Sequence, residues 1–313
     1  MAHSQKLLSI CVPTYNRESE FRSCMTNILR IIKNNGLGDI IEVIVSNNAS
    51  IDGTEEVALS LKEIVYYKQP ANIGGDANFI FLLKKASSKY SLLLSDDDIL
   101  SEDGLLALLR TLERYSPDIV IAKFITNGHE SFNSKITRMT QHKPTMAFGE
   151  VNCAPQMLYF ISGFVIKREN LSEEEWLDIM QTNFRHMEYA LKVLSPTSMC
   201  MFQEEILVER IEKGPIKLNS NHWKFDLSGS RVTRKYQEKF NFNLSPVAEI
   251  SSCLSYFVML KDIEDKSPIV VFRETVLVII NIFKYASFKS ILYAPIYYFI
   301  KGINMLVIKF LYK

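Results

Sequence analysis

Apolar and polar positions change period in a regular way along the first 125 residues. Residues 7–12 form a short, β-branched apolar run closed by Pro13, which predicts a strand whose ladder stops at the proline. Over 20–33 the positions Phe21, Met25, Ile28, Leu29 and Ile32 recur at helical spacing, and Asn34-Asn35-Gly36 marks the predicted helix end. The same alternation predicts strands over 40–45, 64–67, 91–94 and 118–124, with helices over 55–62, 72–87 and 104–115. Strand following helix about four times in roughly 100 residues is the pattern of a mostly parallel, Rossmann-like sheet with helices on both faces. In such sheets ligands bind beyond the carboxyl ends of the strands, where the polar loops of this chain fall.

Further along, residues 127–145 are polar and irregular, with His129, Arg138 and His142, and predict a loop over the site. An apolar segment over 160–168 is broken by Gly163, and Ser172-Glu173-Glu174-Glu175-Trp176 predicts a Ser-capped helix start with acids in its first turn. A helix over 186–193 carries Glu188, and 214–230 is loop-like, mixing aromatic and polar residues. From Pro246 onward the character changes to three helical, heavily apolar stretches over 246–265, 268–287 and 288–313. Their longest uncharged runs, 275–283 and 290–300, fall short of the roughly 20 residues of a spanning helix. With Lys spaced through them they predict amphipathic interfacial helices. The other arrangement open to them is packing on the rest of the chain or on a second copy.

Charge sharpens this picture. The chain carries a formal net charge of +1, which provides no overall basic field for nucleic acid. Residues 266–313 nevertheless hold seven basic side chains against Glu274 alone, a bias that suits anionic headgroups. The five cysteines are scattered and never in a CxxC spacing, so neither a disulfide framework nor a cysteine zinc site is expected, and a reducing cytosol is. The segment 1–6 carries no signal-peptide pattern, and export is not expected.

The chemistry concentrates at Ser91-Leu92-Leu93-Leu94-Ser95-Asp96-Asp97-Asp98. A buried strand can hold Leu92 to Leu94, but three carboxylates need a strong counter-charge and belong at the strand's mouth. Mg²⁺ and Mn²⁺ are held by one or two carboxylates together with substrate phosphates, which this triplet matches.

Four motifs then stand in order after four strands: Pro13-Thr14-Tyr15-Asn16, Ser50-Ile51-Asp52-Gly53-Thr54, Asn72-Ile73-Gly74-Gly75 and Asp96-Asp97-Asp98. Together they resemble the nucleotide-sugar half of a GT-A glycosyltransferase of family 2, over roughly residues 7 to 200. The pattern Asn-Ile-Gly-Gly-x-x-Asn-Phe with Ser-Asp-Asp-Asp-Ile-Leu is most similar to abequosyltransferases and related enzymes that decorate O-antigen units. The resemblance implies that Pro13, Tyr15 and Arg17 line the base and ribose pocket, with Asn47, Asn48, Asn72, Asp96 and Asp97 on the nucleotide. It further implies that Asp96 and Asp98 hold a divalent metal, Mn²⁺ or Mg²⁺.

Asn47 and Asn48 stand where many relatives have carboxylates. An amide can donate and accept, which leans towards cytosine and a CDP-sugar. The acceptor-side base of the family falls about 90 residues after the metal motif, at Glu188, with Met187 where the pattern has its first acid. An abequosyl linkage made with retention would need a second group near the anomeric carbon; His186, His222 and Asp226 are the options.

The implied enzyme is a metal-dependent hexosyltransferase at the cytoplasmic face of the inner membrane, moving a sugar onto a polyprenyl-diphosphate-linked O-antigen oligosaccharide. Residues 1–115 would bind the nucleotide-sugar, 116–245 the acceptor, and 246–313 the membrane surface, with a homo-oligomer open. The alternatives are a UDP- or dTDP-hexose donor, or a non-catalytic nucleotide-binding scaffold docked on the membrane.

Overall fold

The structure is a computed structural model that describes residues 5–126, 128–131, 141–142, 158, 160–182, 184–210, 232 and 235–240. In the loop expected over 127–145, His129 and His142 instead lie in short paired strands, while the part around Arg138, 214–230 with His222 and Asp226, and the helices expected over 246–313 lie outside these residues. The chain divides into two compact units, residues 1–215 and 216–313. The described part of the second is Val232 and 235–240, where Gln237–Phe240 is a single helical turn.

The first unit opens with β1 (Leu8–Thr14), α1 (Glu18–Asn34), β2 (Ile41–Asn47), α2 (Thr54–Ser60), β3 (Val65–Lys68), α3 (Gly75–Lys85) and β4 (Tyr90–Leu93). It continues through β5 (Asp98–Leu100), α4 (Glu102–Tyr115), β6 (Ile119–Thr126), β7 (His129–Glu130), β8 (Gln141–His142) and β9 (Phe164–Lys167). It closes with α5 (Glu173–Ile179), α6 (Arg185–Val193) and β10 (Cys200–Arg210). One sheet runs in the order β3-β2-β1-β4-β9-β6-β10-β5, with β7 on β6 and β8 on β10.

Strands β3, β2, β1 and β4 are mutually parallel, as the alternation predicts. The remainder is mixed: β9 is antiparallel to both β4 and β6, while β10 is parallel to β6 and antiparallel to β5. The chain steps outward from β1 to β2 to β3 and then returns past β1 to β4. Right-handed crossovers therefore put α3 on the opposite face from α1 and α2. The reversal makes the gap beyond the carboxyl ends of β1 and β4 the switch point where such sheets bind ligands.

The core lies between this sheet and its helices. Leu8, Ile10 and Val12 of β1 and Leu92 of β4 are fully buried with Phe21, Met25, Ile28 and Ile31 of α1, each large apolar side chain contributing about 1.5–3 kcal/mol. Ser172 caps α5 as predicted: its hydroxyl accepts from Glu175 N–H at 3.3 Å and Glu175 Oε2 accepts from Ser172 N–H at 2.8 Å.

Three sequence expectations change. Pro13 does not end β1; it pairs in register with Ser46 of β2. Cys11 faces β4, since its carbonyl accepts from Leu94 N–H at 2.9 Å. Strand alternation then turns Pro13's missing N–H to the same side, beyond the last β4 residue, where no ladder bond is needed. Asn47 is the last residue of β2 instead of a loop residue. Strand β10 was unforeseen: its polar Gln203-Glu204-Glu205 interrupts the apolar alternation where the ladder to β6 shifts register between Phe202 and Ile206. That shift also seats α4, because a Cβ on Gly104 would strike the Ile206 carbonyl.

Candidate active site

The loop after β1 and the turn after β4 meet at the switch point. Arg17, just before α1, sends Nη1 to Asp96 Oδ1 at 2.9 Å and to Asp97 Oδ2 at 2.6 Å. The counter-charge demanded by the triplet thus comes in part from within the chain. Where the resemblance implies that Arg17 lines the base and ribose pocket, the structure turns it onto the carboxylates.

Asp96 and Asp98 are buried, at 4% and 3% exposure. Desolvation pushes Asp96 up to about 6 against the pull of Arg17, and Asp98 up to about 7 against the Ser162 hydrogen bond. Ser162 Oγ donates to Asp98 Oδ2 at 2.7 Å and accepts from Ser95 N–H at 3.0 Å. Asp98 also opens β5, where it pairs across the ladder with Arg210, whose guanidinium lies 5.7 Å from the Phe160 ring centre. Sequence reading missed Ser162 and Arg210. The first sits in an apolar segment with no motif, and the second at the end of the unforeseen strand.

Asp96, Asp97 and Asp98 line a cavity of about 260 Å³ together with Ser23, Cys24 and Asn27 of α1. Among the described residues no group of three or more His, Cys, Asp or Glu side chains is placed to hold a metal ion. Two carboxylates sharing an ion with substrate phosphates are a smaller donor set, which the residues fit. Asp96 Oδ2 is buried and closes no hydrogen bond of ordinary geometry, with the Thr14 hydroxyl beside it pulling the carboxyl down, and two desolvated carboxylates with raised pKa values favour an added positive charge. A hard cation completed by diphosphate oxygens suits that donor set.

On the other side of β1, Tyr15 is 41% exposed and follows the buried Pro13. Asn47 and Asn48 are almost wholly buried and bond to the protein itself. Asn47 Nδ2 donates to Tyr66 Oη at 3.0 Å and its Oδ1 accepts from Ser50 N–H at 2.8 Å. Asn48 Nδ2 donates to Asn72 Oδ1 at 3.0 Å and its Oδ1 accepts from Ile73 N–H at 2.9 Å. These amides tie the loop after β2 to the loop after β3. In this arrangement both amides are engaged within the protein, and Asn48 holds the Asn72 side chain in place. Between them and Ser50, Ala49 takes a left-handed φ of 62°, and Gly74, with φ 85°, lets the Asn72 loop turn into α3. In the Ser50–Thr54 motif, Asp52 makes the turn: Oδ1 accepts from Thr54 N–H at 3.1 Å and Oδ2 from Glu18 N–H at 3.1 Å, joining α2 to the start of α1.

Glu188 lies on α6 at 0% exposure and His186 at 4%. His186 is set among aromatic rings, with Phe79, Phe184 and Phe164 at centroid distances of 6.1, 5.8 and 6.4 Å. Neither lines the cavity at Asp96–Asp98. The structure therefore joins Arg17, Asp96, Asp97 and Asp98 directly, links Asn47 and Asn48 to Asn72, and keeps Glu188 behind the surface of the neighbouring helix layer.

A parallel nucleotide-type half sheet, continued by mixed strands and bearing an Asp-x-Asp turn at its switch point, is the GT-A glycosyltransferase fold. Residues 9–176 match Glycosyl transferase family 2, and the chain belongs to that family. It is 28% identical to Abequosyltransferase RfbV of Salmonella typhimurium over 52% of this chain and 53% of that one. A shorter match, 26% identical over 37% of this chain and 16% of the relative, is to Glycosyltransferase GlyA of Streptococcus pneumoniae. The chain thus spans about half the length of the first relative and far less of the second.

Solved structures agree on the fold. TarS 1–349 of S. aureus superposes with a TM-score of 0.63 at 12% identity, covering 91% of this chain and 82% of that one. Mannosyltransferase PcManGT from Pyrobaculum calidifontis, in complex with GDP-Man and Mn²⁺, superposes at 0.53 and 13% identity, covering 93% and 84%.

Proposed function

We propose that this chain transfers a sugar from a nucleotide diphosphate to a lipid-linked oligosaccharide, with the diphosphate held at Asp96 and Asp98 through Mn²⁺ or Mg²⁺. The observation that carries this is the buried Asp96 Oδ2, which closes no hydrogen bond of ordinary geometry, beside Asp98 at the β1–β4 switch point of a family 2 domain. Such an ion neutralises charge on the departing nucleoside diphosphate. Asp96 and Asp98 are the groups that hold it; Ser162 fixes Asp98 by a hydrogen bond, Arg210 acts on it electrostatically from across the ladder, and Arg17 balances Asp96 and Asp97. Tyr15 and Asn72 are assigned to the nucleoside.

For the sugar, the similarity to an abequosyltransferase supports a 3,6-dideoxyhexose such as abequose carried on CDP. Glu188, 90 residues after Asp98 in the sequence, is assigned to the acceptor side. Its complete burial requires the surrounding layer to open before its carboxylate meets an acceptor hydroxyl. The acceptor is a polyprenyl-diphosphate-linked oligosaccharide, and 246–313 holds the enzyme at the cytoplasmic membrane face through its basic, apolar sequence. Among the described residues no helix is long and apolar enough to cross a membrane.

The deciding experiment replaces Asp98 by Ala and follows donor hydrolysis and transfer with added Mn²⁺. Turnover equal to wild type would remove the metal role. A thermal-shift panel of CDP, UDP, GDP and dTDP tests the base, since equal shifts for all four would remove the CDP preference.

A further inference from the structure

Arg17 joins two parts of the crevice that the sequence keeps apart. Its backbone belongs to the loops of the parallel half. Asn16 N–H donates to Ser50 Oγ at 2.9 Å, Arg17 N–H to Thr54 Oγ1 at 3.3 Å and Glu18 N–H to Asp52 Oδ2 at 3.1 Å. Three successive amides thus tie the loop after β1 to the Ser50–Thr54 turn. The Arg17 side chain, 44% exposed, leaves that anchor and reaches the turn after β4.

There the guanidinium does not form the usual fork, in which two nitrogens meet the two oxygens of one carboxylate. A single nitrogen, Nη1, is shared by two carboxylates, 2.9 Å from Asp96 Oδ1 and 2.6 Å from Asp97 Oδ2. One positive centre between oxygens of adjacent Asp residues resembles the coordination of an ion. Asp97 is held independently of it, since Ser95 Oγ donates to Asp97 Oδ1 at 2.5 Å. Among the described residues Nη1 makes every side-chain hydrogen bond of Arg17. Nε and Nη2, the pair of donors that matches two phosphate oxygens, stay unused.

Asp96 is one of the two carboxylates assigned to the divalent ion, and Arg17 already takes its Oδ1. A guanidinium and a divalent cation drawn to the same carboxylate repel each other, which weakens metal binding about tenfold or more. A further anion relieves that repulsion. A nucleoside diphosphate supplies one, with oxygens for the metal and for Nε and Nη2.

We propose that Arg17 is a resident counter-ion that keeps divalent metal off Asp96 until a nucleoside diphosphate arrives, so that metal and diphosphate enter together. This regulation of the site rests on the metal-dependent glycosyl-transfer reading. The change is confined to the Arg17 side chain, because its backbone is anchored, and Asp97, outside the metal pair, keeps a partner for the guanidinium when Asp96 passes to the metal.

The test measures Mn²⁺ binding itself, through the electron paramagnetic resonance signal of the free ion, on the full chain with and without CDP, UDP, GDP or dTDP. Without nucleotide, Arg17→Gln is expected to bind Mn²⁺ about tenfold or more tighter than wild type. Arg17→Lys, which keeps the charge, binds it less tightly than Arg17→Gln. Adding diphosphate then raises the Mn²⁺ affinity of wild type by a larger factor than that of Arg17→Gln. If Arg17→Gln without nucleotide stays within about twofold of wild type, or binds Mn²⁺ more weakly, while wild type still binds Mn²⁺ with a diphosphate, the counter-ion role is overturned and the metal site stands. Wild-type affinity that is the same with and without every diphosphate overturns it independently of any variant. Mn²⁺ binding absent from every protein under every condition removes the metal reading itself, and the counter-ion role with it.

Discussion

The two halves of the sheet bring chemistry to the switch point by different routes. In the parallel half, each side chain lies within a few residues of the strand that presents it: Tyr15 and Arg17 after β1, Asn47 and Asn48 at the end of β2, Asn72 after β3, Asp96 after β4. In the mixed half, the partners of Asp98 come from far along the chain. Ser162 is 64 residues away, and Arg210 reaches Asp98 only because β10 pairs with β5. A βα loop can carry a site by itself, whereas an antiparallel edge supplies residues only once long-range register is set. The first half should therefore tolerate changes in the second as a fold while losing function, and substitutions can test that division.

The largest effect is expected at Asp98→Ala, where donor hydrolysis and transfer with Mn²⁺ fall by about 10²-fold or more, while nucleoside affinity, measured without metal, changes little. Next in size is Arg210→Ala. It removes the cation across the ladder from Asp98, and transfer falls about tenfold with a higher Mn²⁺ requirement; an unchanged metal titration would show that the long-range half does not tune the site.

A third expectation concerns stability and pH. Asp76 stands in the first turn of α3, where desolvation raises its folded pKa to about 7, above the ordinary value near 4. The fold therefore favours the neutral acid, and its stabilising effect is complete below about pH 4 and is lost as pH rises to about 7. Asp76→Asn, which cannot ionise, should match wild type near pH 4 and exceed it at pH 8 by on the order of 1–3 kcal/mol. Chemical denaturation at the two pH values measures this, and a gap independent of pH would contradict the burial argument.

Smaller effects belong to the backbone of the parallel half. Gly74→Ala forces a side chain into φ 85° and should cost about 1–2 kcal/mol, with weaker nucleotide binding because Gly74 N–H donates to Asn72 Oδ1 at 2.9 Å. Ala49→Gly relieves φ 62° and should stabilise by a few tenths to about 1 kcal/mol. Differential scanning calorimetry resolves both signs.

These contrasts also separate what could be read from the chain. The alternation up to residue 124 apart from β5, the helix start at Ser172 and the Asp triplet at a strand mouth were legible, because period, caps and turn chemistry are local. Pro13 was misread as a stop because its tolerance depends on where the neighbouring strand ends. Asn47 and Asn48 were read for the hydrogen bonds an amide can make, but which of those bonds it makes depends on Tyr66, Ser50, Asn72 and Ile73 from other loops.

The sequence by itself determined the family 2 domain, the parallel βα alternation of its first four strands and the carboxylates at their mouth. Periodicity and motif spacing are written residue by residue, so they survive without coordinates. Only the tertiary structure decided that Arg17 neutralises Asp96 and Asp97, that Ser162 and Arg210 attend Asp98, and that Glu188 is buried. Each of those facts depends on register and packing between segments distant in sequence, where burial and charge are settled by neighbours that no local pattern names.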